Sequence, residues 1–218
     1  MKREMHNGAS IYHQQLVEEI TRLEWEMFSE VSNVGGQASC QRNNGTFGIM
    51  RKAQHSVWSD DTLESYKTDL LVAAVEQRNL MTCKYGYMMA KTFPEEYEGI
   101  KDQLPEIGAE KRELATMLTL QHNAWTKAVA AKYPHLCSLG RPLDDVEAGD
   151  GSWPSVENYF FCELLTYSNK TLRLCKRDFE EAEKRGENLA LQILKEMARY
   201  RGYERLEDLE SALSKRNG

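Results

Sequence analysis

With 218 residues, 41% hydrophobic and 28% charged, the chain has ordinary globular usage and enough length to bury a core, which excludes a disordered or fibrous protein. A net charge of −6 argues against a phosphate-binding surface, so no nucleic-acid partner is expected. No apolar run approaches the roughly 20 residues of a bilayer span, and the opening MKREMHNGASIYHQQ has no signal-type apolar stretch; a cytoplasmic protein without membrane association is the expectation.

Residues 1–13 are read as a flexible N-terminal segment. A first helix is expected over 14–31, where Leu16, Ile20, Leu23, Met27, Phe28 and Val31 fall on one arc at 100° per residue. Glu24 lies inside that arc. The glycine-rich stretch from Ser32 to Gly45 reads as a long loop, and helices follow over 46–58, 60–77 and 80–92. PEIGAEKR, around 105–112, joins this half to a second set: an opening helix over 110–132, then helices over 155–166, 168–185 and 188–201. RLEDLESAL closes the chain as a short extra helix. Pro is scarce and alternating β-branched runs are nearly absent, so no strand is expected.

An internal repeat organises these elements. The stretch from Trp58 aligns without a gap on the stretch from Tyr167, an offset of 109, with Ser59/Ser168, Thr62/Thr171, Leu63/Leu172, Asp69/Asp178, Ala73/Ala182, Asn79/Asn188 and Leu80/Leu189 among the identities. Ser59 and Ser168 read as helix N-caps, Asn79 and Asn188 as the caps of the next helices, and Gly186 as a helix stop. The expected fold is therefore all-α, with two pseudo-symmetric helical repeats packed as a bundle-like single globule. Repeat 1 covers 14–104 and repeat 2 covers 105–218.

Polar residues on apolar faces are the site candidates. Arg51 and Gln54 lie along the Phe47/Met50 stripe, and Gln54 aligns with Glu163. The opening helix of the second half places Leu114, Met117, Leu118, Trp125 and Ala128 on one arc with Gln121 among them, which sets Gln121 against Glu24. A buried charge must be paired or hydrogen-bonded. Glu24, Gln54, Gln121 and Glu163 are thus expected to face inward, either as a polar network that fixes the docking of the repeats or as the lining of a ligand pocket between them. Arg51 would grip a ligand carboxylate with two prongs, and Glu24 or Glu163 would serve as acid or base if burial raised its pKa.

Cys40, beside Gln41 in the glycine-rich loop, is a candidate nucleophile if a neighbouring base such as His55 lowers its pKa; an inert small cysteine is the plainer reading. The five cysteines are scattered and odd in number, without a CxxC pair, so neither a disulfide framework nor structural zinc is indicated. No histidine pair has metal-ligand spacing, and no metal or cofactor is expected. A metal on Glu24, Glu163 and His55, serving an oxidase or oxygenase, stays as an alternative.

LEWEMF (23–28), GGQASCQ (35–41), TFGIMRKAQHSVW (46–58), RNLMTCKYGYMM (78–89) and ELLTYSNKTL (163–172) together resemble the bacterial family catalogued as a domain of unknown function numbered 4125. The resemblance runs from about Leu16 to the end. It implies that Glu24, Trp25, Cys40, Gln41, Arg51 and Gln54 match the family pattern, whereas His55, Phe161, Cys162 and the tract after Arg141 depart from it. It brings no activity. The expectation for function is a small-molecule enzyme or ligand-binding protein, acting on an amino-acid-like molecule through Glu24, Glu163 and Cys40, with Gln41, Arg51, Gln54, His55 and Gln121 binding it. The rival is a non-catalytic helical interaction module. A homo-oligomer is compatible with either.

Overall fold

The computed structural model describes residues 5–6, 9–32, 39–149 and 153–217. Among them the chain is all-α but for one small ladder, in which β1 (Met5–His6) pairs antiparallel with β2 (Ala9–Ser10). That ladder is not expected from the pattern. It leads straight into α1 (Ile11–Ser29), which starts three residues earlier than anticipated because Ser10 caps it, its hydroxyl accepting from His13 N. The contacts divide the chain into two compact units, residues 1–82 and 83–218, so the division falls earlier than the repeat boundary drawn at 104.

In the first unit α1 packs on α2 (Asn44–His55) and α3 (Asp60–Val75). Leu16, Ile20, Leu63, Leu70 and Ala73 make the core, with Tyr66 buried among them. A single 3-10 turn, Ser39–Arg42, interrupts the stretch read as loop. Its Gln41 is buried and donates from Nε2 to Phe28 O (3.0 Å) and Val31 O (2.7 Å), tying the turn to the end of α1.

α4 (Leu80–Thr92) begins at the end of the first unit and runs into the second. There follow α5 (Pro94–Glu98), a 3-10 turn at Lys101–Gln103, and the long α6 (Ala109–Lys132). α7 (Pro134–Cys137), α8 (Val156–Leu164), α9 (Asn169–Lys184), α10 (Leu189–Tyr200) and α11 (Leu206–Asn217) complete the chain. α6 is the spine of this unit and packs on α8, α9 and α10. At its far end Val129, Tyr133, Leu136, Ala198, Leu206 and Leu209 form a separate apolar cluster under α11.

The buried face of α6 differs from the one expected. It carries Ala115, Leu118, Thr119 and Val129, while Met117 is exposed. Alanine and threonine weigh little in a hydrophobicity count, yet they are small enough to let neighbouring helices come close. Thr119 sends its hydroxyl to Ala115 O, and Thr21 in α1 does the same to Val17 O (2.7 Å each), which hides a polar group without a partner from elsewhere.

The expected start signals are all present. Ser59 accepts from Thr62 N and Ser168 from Thr171 N, so α3 and α9 begin 109 residues apart and both run 16 residues. Asn79 accepts from Thr82 N and Asn188 from Leu191 N, and each amide also donates backward, to Met27 O and Trp125 O.

Candidate functional site

α1, α2 and α3 each bring a polar side chain to one buried point in the first unit. Glu24 is fully buried. Its Oε2 accepts from Arg51 Nε (2.7 Å) and faces His55 Nε2 (2.9 Å); its Oε1 accepts from Arg51 Nη2 and from Tyr66 OH (2.8 Å). Two donors on each oxygen saturate the carboxylate. Burial works against the charge most strongly, but the Arg51 guanidinium and then His55 overcome it and hold the carboxyl down at about 2. Arg51 completes its own bonding through Nη1 to Gln54 Oε1 (2.8 Å). An ionised carboxylate only accepts, so His55 turns a protonated Nε2 to Glu24 and leaves Nδ1 buried without a hydrogen-bond partner.

A second buried charge pair lies in the other unit. Lys84 of α4 donates from Nζ to Glu163 Oε2 of α8 (2.5 Å), and both side chains are 1% exposed. Tyr167 OH donates to Glu163 Oε1 (3.0 Å), and the Lys84 ammonium sits 3.4 Å from the centre of the Tyr159 ring, a cation–π contact that replaces part of its lost hydration. His122 stacks on Phe160 (centroids 4.1 Å apart); burial pushes its imidazole down to about 4, with Glu163 pulling the other way.

Beside this pair, within residues 83–218, opens a cleft of about 560 Å³. Tyr87 and Lys91 of α4, Lys101 and Asp102, Arg112 of α6, and Asn158 with Cys162 of α8 line it. Tyr87 is fixed by its hydroxyl, which donates to Pro105 O (2.8 Å). Asn158 is 3% exposed; its Oδ1 accepts from the Cys162 thiol (3.3 Å), and its Nδ2 donates to no described residue. Arg112, at the rim, has no ion-pair partner among the described residues. Burial pushes the Cys162 thiol up to about 12, so it packs and donates but does not ionise near neutral pH.

A family model described as a protein of unknown function (DUF4125) matches residues 14–211. The chain belongs to the DUF4125 family. No curated protein matches it. No solved structure matches it.

In this DUF4125 chain the expected residues part company. Glu24, Arg51, Gln54 and His55 come together, and the two-pronged grip expected of Arg51 on a ligand is made to Glu24. Glu163 joins Lys84 instead. Gln41 ties its turn to the end of α1, and the Cys40 side chain lies outside the described residues. Gln121 is half-buried, in an open hollow along one side of α6 with Met117 and Leu120. Among the described residues no three His, Cys, Asp or Glu side chains gather as metal ligands, and the place a cation would take beside Glu24 and His55 is held by the Arg51 guanidinium.

Sequence reasoning missed Tyr66, Lys84, Tyr159 and Asn158. A lysine and a tyrosine in the aromatic and methionine-rich stretch of α4 carried one available signal: Lys84 lies on the face of Leu80, Tyr87 and Met88, all buried.

Proposed function

We propose that this protein binds a small amino-acid-like molecule in the cleft formed by α4, the segment after α5, α6 and α8. The observation that carries this reading is Asn158. An amide 3% exposed, whose Nδ2 donates to no described residue, stands at the wall of an open cleft and is available to a ligand acceptor. Around it stand charges of both signs. Lys101 and Arg112 suit a carboxylate, Asp102 and Glu106 suit an ammonium group, and the Tyr87, Phe161 and Leu165 walls suit an apolar body.

Binding, rather than acid/base catalysis by Glu24, fits the electrostatics. A carboxyl held at about 2, with both oxygens saturated, has neither a proton to give at neutral pH nor an open lone pair to take one. Titration calorimetry with a panel of free amino acids tests the proposal. At least one should bind, and Asn158→Leu and Arg112→Met should each weaken it about tenfold or more, as expected for losing a charge-assisted or buried hydrogen bond. A panel with no binder, or full affinity in both variants, overturns it.

A helical interaction module is the second reading, supported by α6, where Met117 and Leu120 are 39% and 62% exposed on one side of the helix. It predicts concentration-dependent association that Leu120→Glu abolishes.

A further inference from the structure

A second, smaller hollow of about 250 Å³ adjoins the cleft, lined by Thr92, Asp145, Trp153 and Ser155. Lys91 and Asn158 line both spaces and so form the partition. Building on the binding proposal above, we propose that the ligand carries a second carboxylate, which passes the Asn158 partition and replaces Asp145 as the partner of Lys91.

The bonding of Asp145 makes the exchange inexpensive. Lys91 pairs with Asp145 Oδ2 and has no other partner among the described residues; its side chain is 56% exposed. Ion pairs this open contribute little, because water compensates either ion when they separate. Asp145 has an independent anchor: its Oδ1 accepts from Ser155 Oγ (2.5 Å). Ser155 is buried and also caps α8 by accepting from Asn158 N (2.9 Å). Asp145 therefore stays in place when Lys91 leaves, whereas Lys91, on a flexible four-carbon stem, turns to an incoming anion. The hollow's outer wall is held too. Arg141 lies 5.0 Å from the Trp153 ring and 5.0 Å from the Tyr159 ring, tying the segment before α8 to the helix.

The selectivity follows from charge. An acidic amino acid reaches Lys91 with an anion; its side-chain amide counterpart has the same shape but no charge to compete with Asp145. Calorimetry with glutamate, glutamine, aspartate and asparagine reads the difference. In the wild type the acid should bind at least about tenfold more tightly than its amide, the scale of one charge-assisted hydrogen bond. The ratio should fall to within about twofold in Lys91→Met and should grow in Asp145→Asn, where the competing anion is gone. Circular dichroism melts of both variants establish that they are folded. Amide and acid binding equally, or a preference that survives Lys91→Met, overturns the second-carboxylate inference alone. A protein that binds none of the four overturns it as well, and if it also binds nothing in the wider panel, the binding proposal falls with it.

Discussion

Gln77 and Gly186, 109 residues apart, close their helices through the same left-handed turn. Their φ angles are 55° and 68°, and the bonds that follow match: Arg78 N donates to Ala73 O (2.8 Å) and Glu187 N to Ala182 O (2.9 Å). This is a Schellman ending, in which a left-handed residue lets the chain fold back on the last helical carbonyls. Glycine adopts that conformation without strain; glutamine does so at a cost. Gln77→Gly should therefore raise stability by about 0.5 kcal/mol and Gly186→Gln should lower it by about 1 kcal/mol. Urea midpoints at constant m-value would show both. A Gln77→Gly variant no more stable than wild type would contradict the turn.

Removing one partner from the Glu24–Arg51 pair should be severe. Arg51→Met leaves a buried carboxylate facing only His55 and Tyr66, and a loss of about 3–5 kcal/mol is expected for an orphaned buried charge. Glu24→Gln in the Arg51→Met background should recover part of it, since no unpaired ion is then buried. Thermal melts of the two single variants and the double variant would give the coupling directly. Additive losses would mean that the two residues do not interact.

Acid stability should fall in two stages. His122 has an ordinary value near 6.5 and sits at about 4 when folded, so the unfolded chain takes up its proton first and stability drops as pH falls from 6.5 toward 4. Glu24 is lowered from 4.5 to about 2, so its contribution, on the order of 3 kcal/mol, is complete above 4.5 and is lost as pH falls toward 2. His122→Leu should remove the upper stage and leave the lower one. A stability profile flat between pH 6.5 and 4.5 in the wild type would refute the burial of that imidazole.

Cys162 should resist thiol reagents in the native state. With its thiol at about 12, the thiolate fraction at neutral pH is negligible, and Asn158 Oδ1 accepts a hydrogen bond from the protonated thiol. Labelling with a disulfide reagent at pH 7.5 should modify Cys162 only as fast as the protein opens, and urea should speed it. Rapid modification of Cys162 in the folded protein, read by peptide mass mapping, would count against this environment.

The local signals were legible in the sequence because their physics is local. A Ser or Asn side chain caps a helix by reaching a backbone N–H three residues on, so Ser59, Ser168, Asn79 and Asn188 announced their helices without any tertiary contact. Glu24 was readable as buried because a carboxylate on an apolar arc has nowhere else to go, and Glu163 because it aligns with Gln54; both are buried. The face of α6 was misread because Ala115 and Thr119 are buried for their small size rather than for hydrophobicity. Partners were beyond reach. Whether Glu24 would meet a ligand or Arg51, and whether Glu163 would meet Gln121 or Lys84, depends on how separate helices rotate against one another over 27 and 79 residues of chain. That rotation is set by the whole packed interior, where dense side-chain packing leaves each helix one acceptable face, and no stretch of sequence carries it alone.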